Sequence, residues 1–136
     1  MKKLRGILAL IAIATVFCGV GADASTADSK WSFINFAGRS YTAYRQKDGN
    51  GNVYCFPITG GSVYVTVGKA SNSSGKNQAA ASKKVALTKG TRYTIVNSVG
   101  AGKYARLKFD AMYMDSTTNT GKWSPDASKN YTVVGK

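Results

Sequence analysis

Few side chains in this 136-residue sequence could do acid–base or nucleophilic chemistry, because it contains no histidine and no glutamate. Without histidine, a Ser-His-Asp triad, a Cys-His pair or a histidine-based zinc site cannot be built. A carboxylate pair for glycoside hydrolysis would have to come from aspartates. The aspartates outside the N-terminal segment are Asp28, Asp48, Asp110, Asp115 and Asp126. Because Asp28 lies in a polar terminal segment and both Asp48 and Asp115 lie in predicted turns, we expect no catalytic set and no enzymatic activity.

Cys55 is the second possible nucleophile, and it lies between Tyr54 and Phe56 in a predicted strand. A reactive thiol needs a neighbouring base, which only lysine or aspartate could supply here. A cysteine in an aromatic run is typical of a small buried side chain, so we interpret Cys55 as a core residue. The other cysteine, Cys18, lies in an N-terminal apolar run that we expect to be removed as part of a signal peptide. Cys55 would then be the one cysteine left, and we expect no intramolecular disulfide.

The segment Asp48-Gly49-Asn50-Gly51-Asn52 has oxygen-bearing side chains at alternate positions, as the start of a calcium loop does. The match ends there, because Val53 replaces the required glycine and Thr59 replaces the bidentate glutamate. Asp-Gly and Asn-Gly pairs are also typical of tight hairpin turns. We therefore predict a turn, with no metal ion and no cofactor.

Residues 1–24 have the pattern of a signal peptide. A basic start, an apolar run over 7–20 and small residues at Ala22 and Ala24 are typical of a segment that a signal peptidase removes. The apolar run is shorter than the roughly 20 residues that a membrane-spanning helix needs. We expect cleavage after Ala24 and a secreted domain over 25–136.

The mature domain would be strongly basic. Cleavage removes three basic residues and one acidic residue, so the net charge falls from +13 to +11. Such an excess of positive charge attracts polyanions whatever the fold. Outside a bacterial cell these are teichoic acids, anionic lipid head groups and acidic glycans, and export argues against nucleic acid as the partner. The leading hypothesis is a non-enzymatic cationic protein that is associated with an anionic cell-envelope polymer or membrane surface.

The alternative function is a carbohydrate-binding or adhesive module that uses exposed aromatic side chains. Trp123 lies in or beside a predicted loop, where an indole could stack on a sugar ring. The competing interpretation is that Trp123 folds back and closes one end of the core. A third possibility is a structural role, in which exposed strand edges assemble copies of the chain.

Short β-branched and aromatic stretches alternate with clusters of Gly, Asn, Asp and Ser, which predicts a single antiparallel β-sandwich of about seven or eight strands. The candidate strands are 31–36, 40–46, 53–58, 62–67, 84–87, 92–98, 104–114 and 130–134. We expect strand 40–46 to form a hairpin with strand 53–58 through the Asp-Gly turn. The stretch 70–83 has no apolar periodicity and is predicted to be a mobile loop.

A second hairpin is predicted between 92–98 and 104–114. Apolar residues alternate with charged ones in the later strand, and this register sets Arg92 opposite Asp110. The outer face would then show Arg106 and Lys108, with Lys103 in the turn. The candidate binding residues are Arg92, Lys103, Arg106, Lys108 and Trp123.

Two short segments carry a resemblance to a known group of proteins: Tyr44-Arg45-Gln46 before a turn, and Gly121-Lys122-Trp123-Ser124-Pro125-Asp126 near the end. With the signal peptide, they resemble small secreted proteins of unknown function from Gram-positive bacteria and, more distantly, lactococcin-type bacteriocins. The resemblance implies an exported β-sandwich. The resemblance therefore adds a bacteriocin-like role to the leading hypothesis of an envelope-associated protein. The histidine-containing pattern of the bacteriocins is absent, which argues against killing activity, and the resemblance supplies no catalytic residue.

Overall fold

The computed structural model describes residues 25–136, and the predicted signal peptide lies outside the described residues. In this part the chain forms strands and one 3-10 helix (Asn35–Ala37), which confirms the all-β class. The strands are β1 (Ser29–Ile34), β2 (Arg39–Tyr41), β3 (Arg45–Gln46), β4 (Val53–Thr59), β5 (Val63–Ala70), β6 (Ala79–Ala80), β7 (Val85–Leu87), β8 (Tyr93–Ile95), β9 (Tyr104–Ala111), β10 (Thr118–Ser124) and β11 (Thr132–Val134). The predicted strand 40–46 is divided into β2 and β3.

The strands form two sheets. Sheet I has the order β1-β10-β4-β8-β11, and sheet II has the order β2-β9-β5-β6, with β3 also paired to β9 and β7 to β5. All pairs are antiparallel except β8 and β11, which are parallel. The expectation of a purely antiparallel arrangement is therefore wrong at this pair. The chain leaves β8, passes through β9 in the other sheet and β10, and returns beside β8, a crossover that permits a parallel pair.

The inner faces of the two sheets pack together as the two-residue strand period requires. In β1, Trp31 and Phe33 are buried while the residues between and beside them are exposed, and in β9 the buried side chains include Leu107 and Phe109. The Phe109 ring lies 4.4 Å from the Trp31 ring and 5.9 Å from the Phe33 ring, centroid to centroid. These aromatic contacts join sheet I to sheet II at the centre of the core.

Strand β10 has no counterpart among the predicted strands, although it lies between β1 and β4 in sheet I. Its inward residues are Asn119, Gly121 and Trp123, which do not form an apolar pattern. Asn119 is buried because its amide group is satisfied: Nδ2 donates to the Phe33 carbonyl oxygen (3.1 Å), and Oδ1 accepts from the Gly61 amide (2.9 Å). Because two of its three inward residues are asparagine and glycine, β10 lacks the alternation of apolar and polar residues by which a strand is predicted from sequence.

The first predicted hairpin is wrong. Strand β4 pairs with β10 and β8, whereas β2 and β3 pair with β9 in the other sheet. The Asp-Gly and Asn-Gly segment therefore connects sheet II to sheet I. Glycine-rich turn residues permit a change of direction, but the pairing partner depends on contacts with distant strands.

The second predicted hairpin is also wrong in its pairing and correct in its faces. Strand β8 pairs with β4, so Tyr93 lies opposite Cys55 and not opposite Phe109. Strand β9 pairs with β5 along eight positions, with Leu107 opposite Val67. The alternation within β9 stands regardless of the partner, because it follows from the strand geometry alone.

Candidate anion-binding face

The outer face of sheet II carries a basic side chain held between two aromatic rings. The Arg106 guanidinium carbon lies 4.0 Å from the centroid of the Tyr41 ring and 4.6 Å from that of Tyr44. Arg106 projects outward from β9 because its neighbours Ala105 and Leu107 fill the core. A flat, delocalised guanidinium stacks well on aromatic faces, so the two rings restrain its position.

A third side chain completes this arrangement. The Gln78 side-chain oxygen accepts hydrogen bonds from Arg106 Nη2 and from the Tyr44 hydroxyl, each at 3.3 Å. Gln78 lies within the stretch 70–83, for which the sequence predicts a mobile loop. This prediction is wrong in part, since β6 pairs with β5 and the Asn72 side-chain oxygen accepts from the amides of Ser74 and Lys76. The loop thus supplies a polar contact to the basic face.

A groove of about 260 Å³ lies over these residues. It is lined by Tyr41, Tyr44, Thr66, Gly68, Gln78, Ala79, Ala80, Arg106 and Lys108. The base of the groove is formed by the small residues Gly68 and Thr66 of β5. They lie opposite Arg106 and Lys108, respectively, in the strand register. The lining residues include two cations and no carboxylate, so the groove suits an anionic group flanked by a ring or an apolar segment.

Asp110 is the acidic residue on this face. Arg39 Nε donates to Asp110 Oδ1 at 2.7 Å, and Lys108 Nζ lies 3.9 Å from Asp110 Oδ2. The hydrogen bond and the charge of Asp110 raise the pKa of Arg39. The predicted partner, Arg92, lies on sheet I instead, because β8 is not a neighbour of β9. Arg39 lies closest to Asp110, Lys108 forms the longer of the two ion pairs, and no ion pair within the described residues involves Arg106.

The structure brings together only two of the five predicted binding residues. Arg106 and Lys108 line the groove, and Lys103 is exposed in the turn that precedes β9. Arg92 lies on the other sheet, where its guanidinium carbon is 4.5 Å from the centroid of the Phe56 ring. The idea of an exposed Trp123 is wrong, since its side chain faces the core and the residue is 1% exposed. The alternative interpretation, a core tryptophan, is the correct one.

Sequence reasoning missed Tyr41, Tyr44 and Gln78 as parts of the site. The two tyrosines lie on separate elements, at the end of β2 and just before β3, and Gln78 lies in the β5–β6 connection. The one local signal was the high number of tyrosines near basic residues. Their assignment to one face needed the strand register, in which Tyr41 lies opposite Lys108.

The two segments that carry the family resemblance lie side by side. Arg45 Nη1 donates to the Ser29 hydroxyl (3.0 Å) and to the Trp123 carbonyl oxygen (3.5 Å), and its guanidinium carbon is 5.6 Å from the centroid of the Trp123 ring. Burial lowers the pKa of Arg45, with the charges of Asp28 and Asp126 acting in the opposite direction. These contacts join β3 of sheet II to β1 and β10 of sheet I.

Lys47 and Asp126 form a buried ion pair beside them. Lys47 is 0% exposed, and its Nζ donates to Asp126 Oδ1 (2.9 Å) and to the carbonyl oxygens of Gly51 (2.7 Å) and Pro125 (2.6 Å). Asp126 Oδ2 accepts from the Asp48 amide at 2.8 Å. Burial alone would raise the pKa of Asp126, but the hydrogen bonds from Lys47 and Asp48 outweigh it and lower that pKa. The pair is structural, because its donors and acceptors are engaged with each other.

Cys55 and any cluster of metal-binding side chains are the other groups that could take part in chemistry. Cys55 is fully buried, and burial raises the pKa of its thiol, which confirms its interpretation as a core residue. Within residues 25–136 there is no group of three or more His, Cys, Asp or Glu side chains able to hold a metal ion. The same part of the chain contains no helix of the length and apolar character needed to cross a membrane.

Comparison with known proteins assigns the chain to a family. The model of a family described as "Protein of unknown function (DUF2712)" matches residues 15–127. Neither the curated proteins nor the solved structures contain a significant match to the chain. The family assignment thus covers most of the chain and carries no activity with it.

Proposed function

The chain belongs to this family of unknown function, and we propose that it is an exported, non-enzymatic cationic protein that associates with an anionic cell-envelope polymer through the outer face of sheet II. The observation that carries the proposal is the groove in which Arg106 and Lys108 stand beside two tyrosines with no lining carboxylate. The net charge expected for the mature domain, +11, favours the same class of partner. The envelope as the location follows from the predicted signal peptide and from the resemblance to small exported proteins of Gram-positive bacteria.

The chemistry of the groove suits phosphate or carboxylate groups along a polymer. A guanidinium presents several N–H donors in a fixed plane, and only one contact to Gln78 uses them at the groove. Lys108 lies two residues further along β9, which places its backbone roughly 7 Å away. Because the tyrosine rings already restrain Arg106, less side-chain entropy is lost when an anion binds there.

The test is a binding titration with poly(glycerol phosphate) as the probe. We expect R106Q/K108Q to bind at least about 10-fold more weakly than the unmodified protein, since both groove cations are removed. The control K89Q/K136Q lowers the net charge equally at exposed lysines away from the groove and should change affinity by no more than about 2-fold. Equal losses for the two variants would mean that net charge, and not the groove, drives binding.

Salt provides a second criterion. Exposed charges are screened over a Debye length of roughly 8 Å at physiological ionic strength, so affinity should fall steadily as salt is added. Binding that survives high salt undiminished would contradict the proposal.

A second candidate function is glycan binding by exposed aromatic side chains. It is supported by Tyr41, which lines the groove and is 47% exposed. The two functions differ in their response to charge. A neutral glycan that binds as tightly as the anionic polymer, with affinity lost in Y41A and kept in R106Q, would favour the second function.

A further inference from the structure

The outer face of sheet I, on the opposite side of the sandwich, carries a second row of basic side chains. Lys30 of β1 lies opposite Lys122 of β10, and Lys122 lies opposite Phe56 of β4. Arg92 follows, with its guanidinium carbon 4.5 Å from the centroid of the Phe56 ring. With strands roughly 4.8 Å apart, the row spans about 14 Å from β1 to Arg92, the residue that precedes β8.

This row has no acidic partner in the described structure. Sheet I contains no aspartate or glutamate in any of its strands. The ion pairs found within residues 25–136 join Asp110 to Arg39 and Lys108, and Asp126 to Lys47. Asp28 lines a hollow together with Arg92, but no ion pair joins them.

In the absence of a ligand, the repulsion between Lys30 and Lys122 is expected to destabilise the fold. Like charges directly opposite each other on neighbouring strands destabilise a sheet. Lys30 and Lys122 border an open hollow of about 460 Å³, and its other lining residues are the polar Ser32 and Thr120 together with Trp31, Ile58 and Gly121. Two ammonium groups and a hydroxyl are donors that match the oxygens of a phosphate group, and an anion placed between the lysines would remove their repulsion.

We propose that the domain binds phosphate-bearing polymers on both outer faces and bridges two separate chains. This inference rests on the proposed function, which supplies the first face. The two faces point in opposite directions because packed sheets lie roughly 10 Å apart and each outer set of side chains points away from the core. Two polymers bound there are separated by more than a Debye length, so their mutual repulsion is screened. The protein therefore acts as a cross-linker of envelope polymer.

The experiment measures binding and light scattering in the same titration of full-length mature protein with poly(glycerol phosphate). We expect scattering to rise, to peak near charge equivalence and to fall again in excess polymer, when each protein holds one chain. K30Q/K122Q should retain binding within about 3-fold and lose most of the scattering. R106Q/K108Q should also lose scattering, whereas K89Q/K136Q should behave as the unmodified protein.

The outcomes separate this inference from the proposed function. Binding by the unmodified protein without any scattering would overturn bridging and leave the proposed function in place. Undiminished scattering by K30Q/K122Q would show that the second face is not responsible. Absence of all binding would overturn both proposals. A thermal melt of K30Q/K122Q should show unchanged or higher stability, because the substitution relieves repulsion between the two lysines.

Discussion

The buried pair of Lys47 and Asp126 offers the sharpest test of how this domain is held together. The pair connects the segment after β3 to the segment after β10, and Asp126 also accepts the Asp48 amide. In D126N the ammonium group of Lys47 stays buried with two carbonyl acceptors and no counter-charge. K47M instead leaves the carbonyl oxygens of Gly51 and Pro125 without their donor.

The expected loss can be estimated from this geometry. At 2.9 Å, two unit charges attract each other by about 6 kcal/mol at an effective dielectric constant of roughly 20. The desolvation of both ions offsets most of this attraction, but removing one partner of a buried pair typically costs about 3–5 kcal/mol. For a domain of this length, such a loss lowers the melting temperature by about 12–20 °C.

The assay is urea unfolding and thermal melting of D126N, K47M and the double variant. We expect the double variant to be less destabilised than the sum of the two single variants by about 1–3 kcal/mol, since each single change already breaks the same contact. K89M, which removes an exposed lysine, is the matched control and should stay within about 0.5 kcal/mol. If D126N behaved like K89M, the reasoning would be refuted.

Lowering the pH, enlarging a glycine and probing the thiol test other parts of the fold. The pKa of Asp126 is lowered in the folded state, so its contribution to stability is present above about pH 4 and is lost as the pH falls further; acid titration of D126N, followed by circular dichroism, should show a weaker dependence. In G121A the new Cβ would lie 2.5 Å from Trp31 and 2.3 Å from the Phe56 carbonyl oxygen. Urea unfolding of G121A should show a free energy of unfolding lower by about 1–3 kcal/mol. The control G51A should not show this loss, because the space around Gly51 is open. Cys55 should react with a thiol reagent only after denaturation, and fast reaction of the native protein would contradict its burial.

The faces of the strands were predictable to a large extent. The alternation over β9 identified Leu107 and Phe109 as inward and Arg106 and Lys108 as outward, and the structure has them so. This success has a local cause, because side chains on a strand point to opposite sides whatever lies next to it. The same alternation does not indicate β10, because the inward residues of this strand include Asn119 and Gly121.

The candidate site was predictable only in part. Arg106 and Lys108 were predicted as its cations, because both lie in one strand whose charged and apolar residues alternate. Its tyrosines and Gln78 come from three other segments, and Arg92 was assigned to the wrong sheet. No local rule could have corrected this assignment, because it depends on which strands become neighbours.

The sequence by itself determined the class of this protein: short β-branched and aromatic runs, a large excess of lysine and arginine, and no residues for the common catalytic sets. Only the tertiary structure decided the partners of each strand, the two opposite basic faces and the burial of Lys47 and Trp123. The physical reason is that strand pairing in this fold is mostly non-local, as for Ser29 and Trp123, which lie opposite each other from the two ends of the domain. A turn sequence permits the chain to change direction, and packing between distant residues selects where it goes.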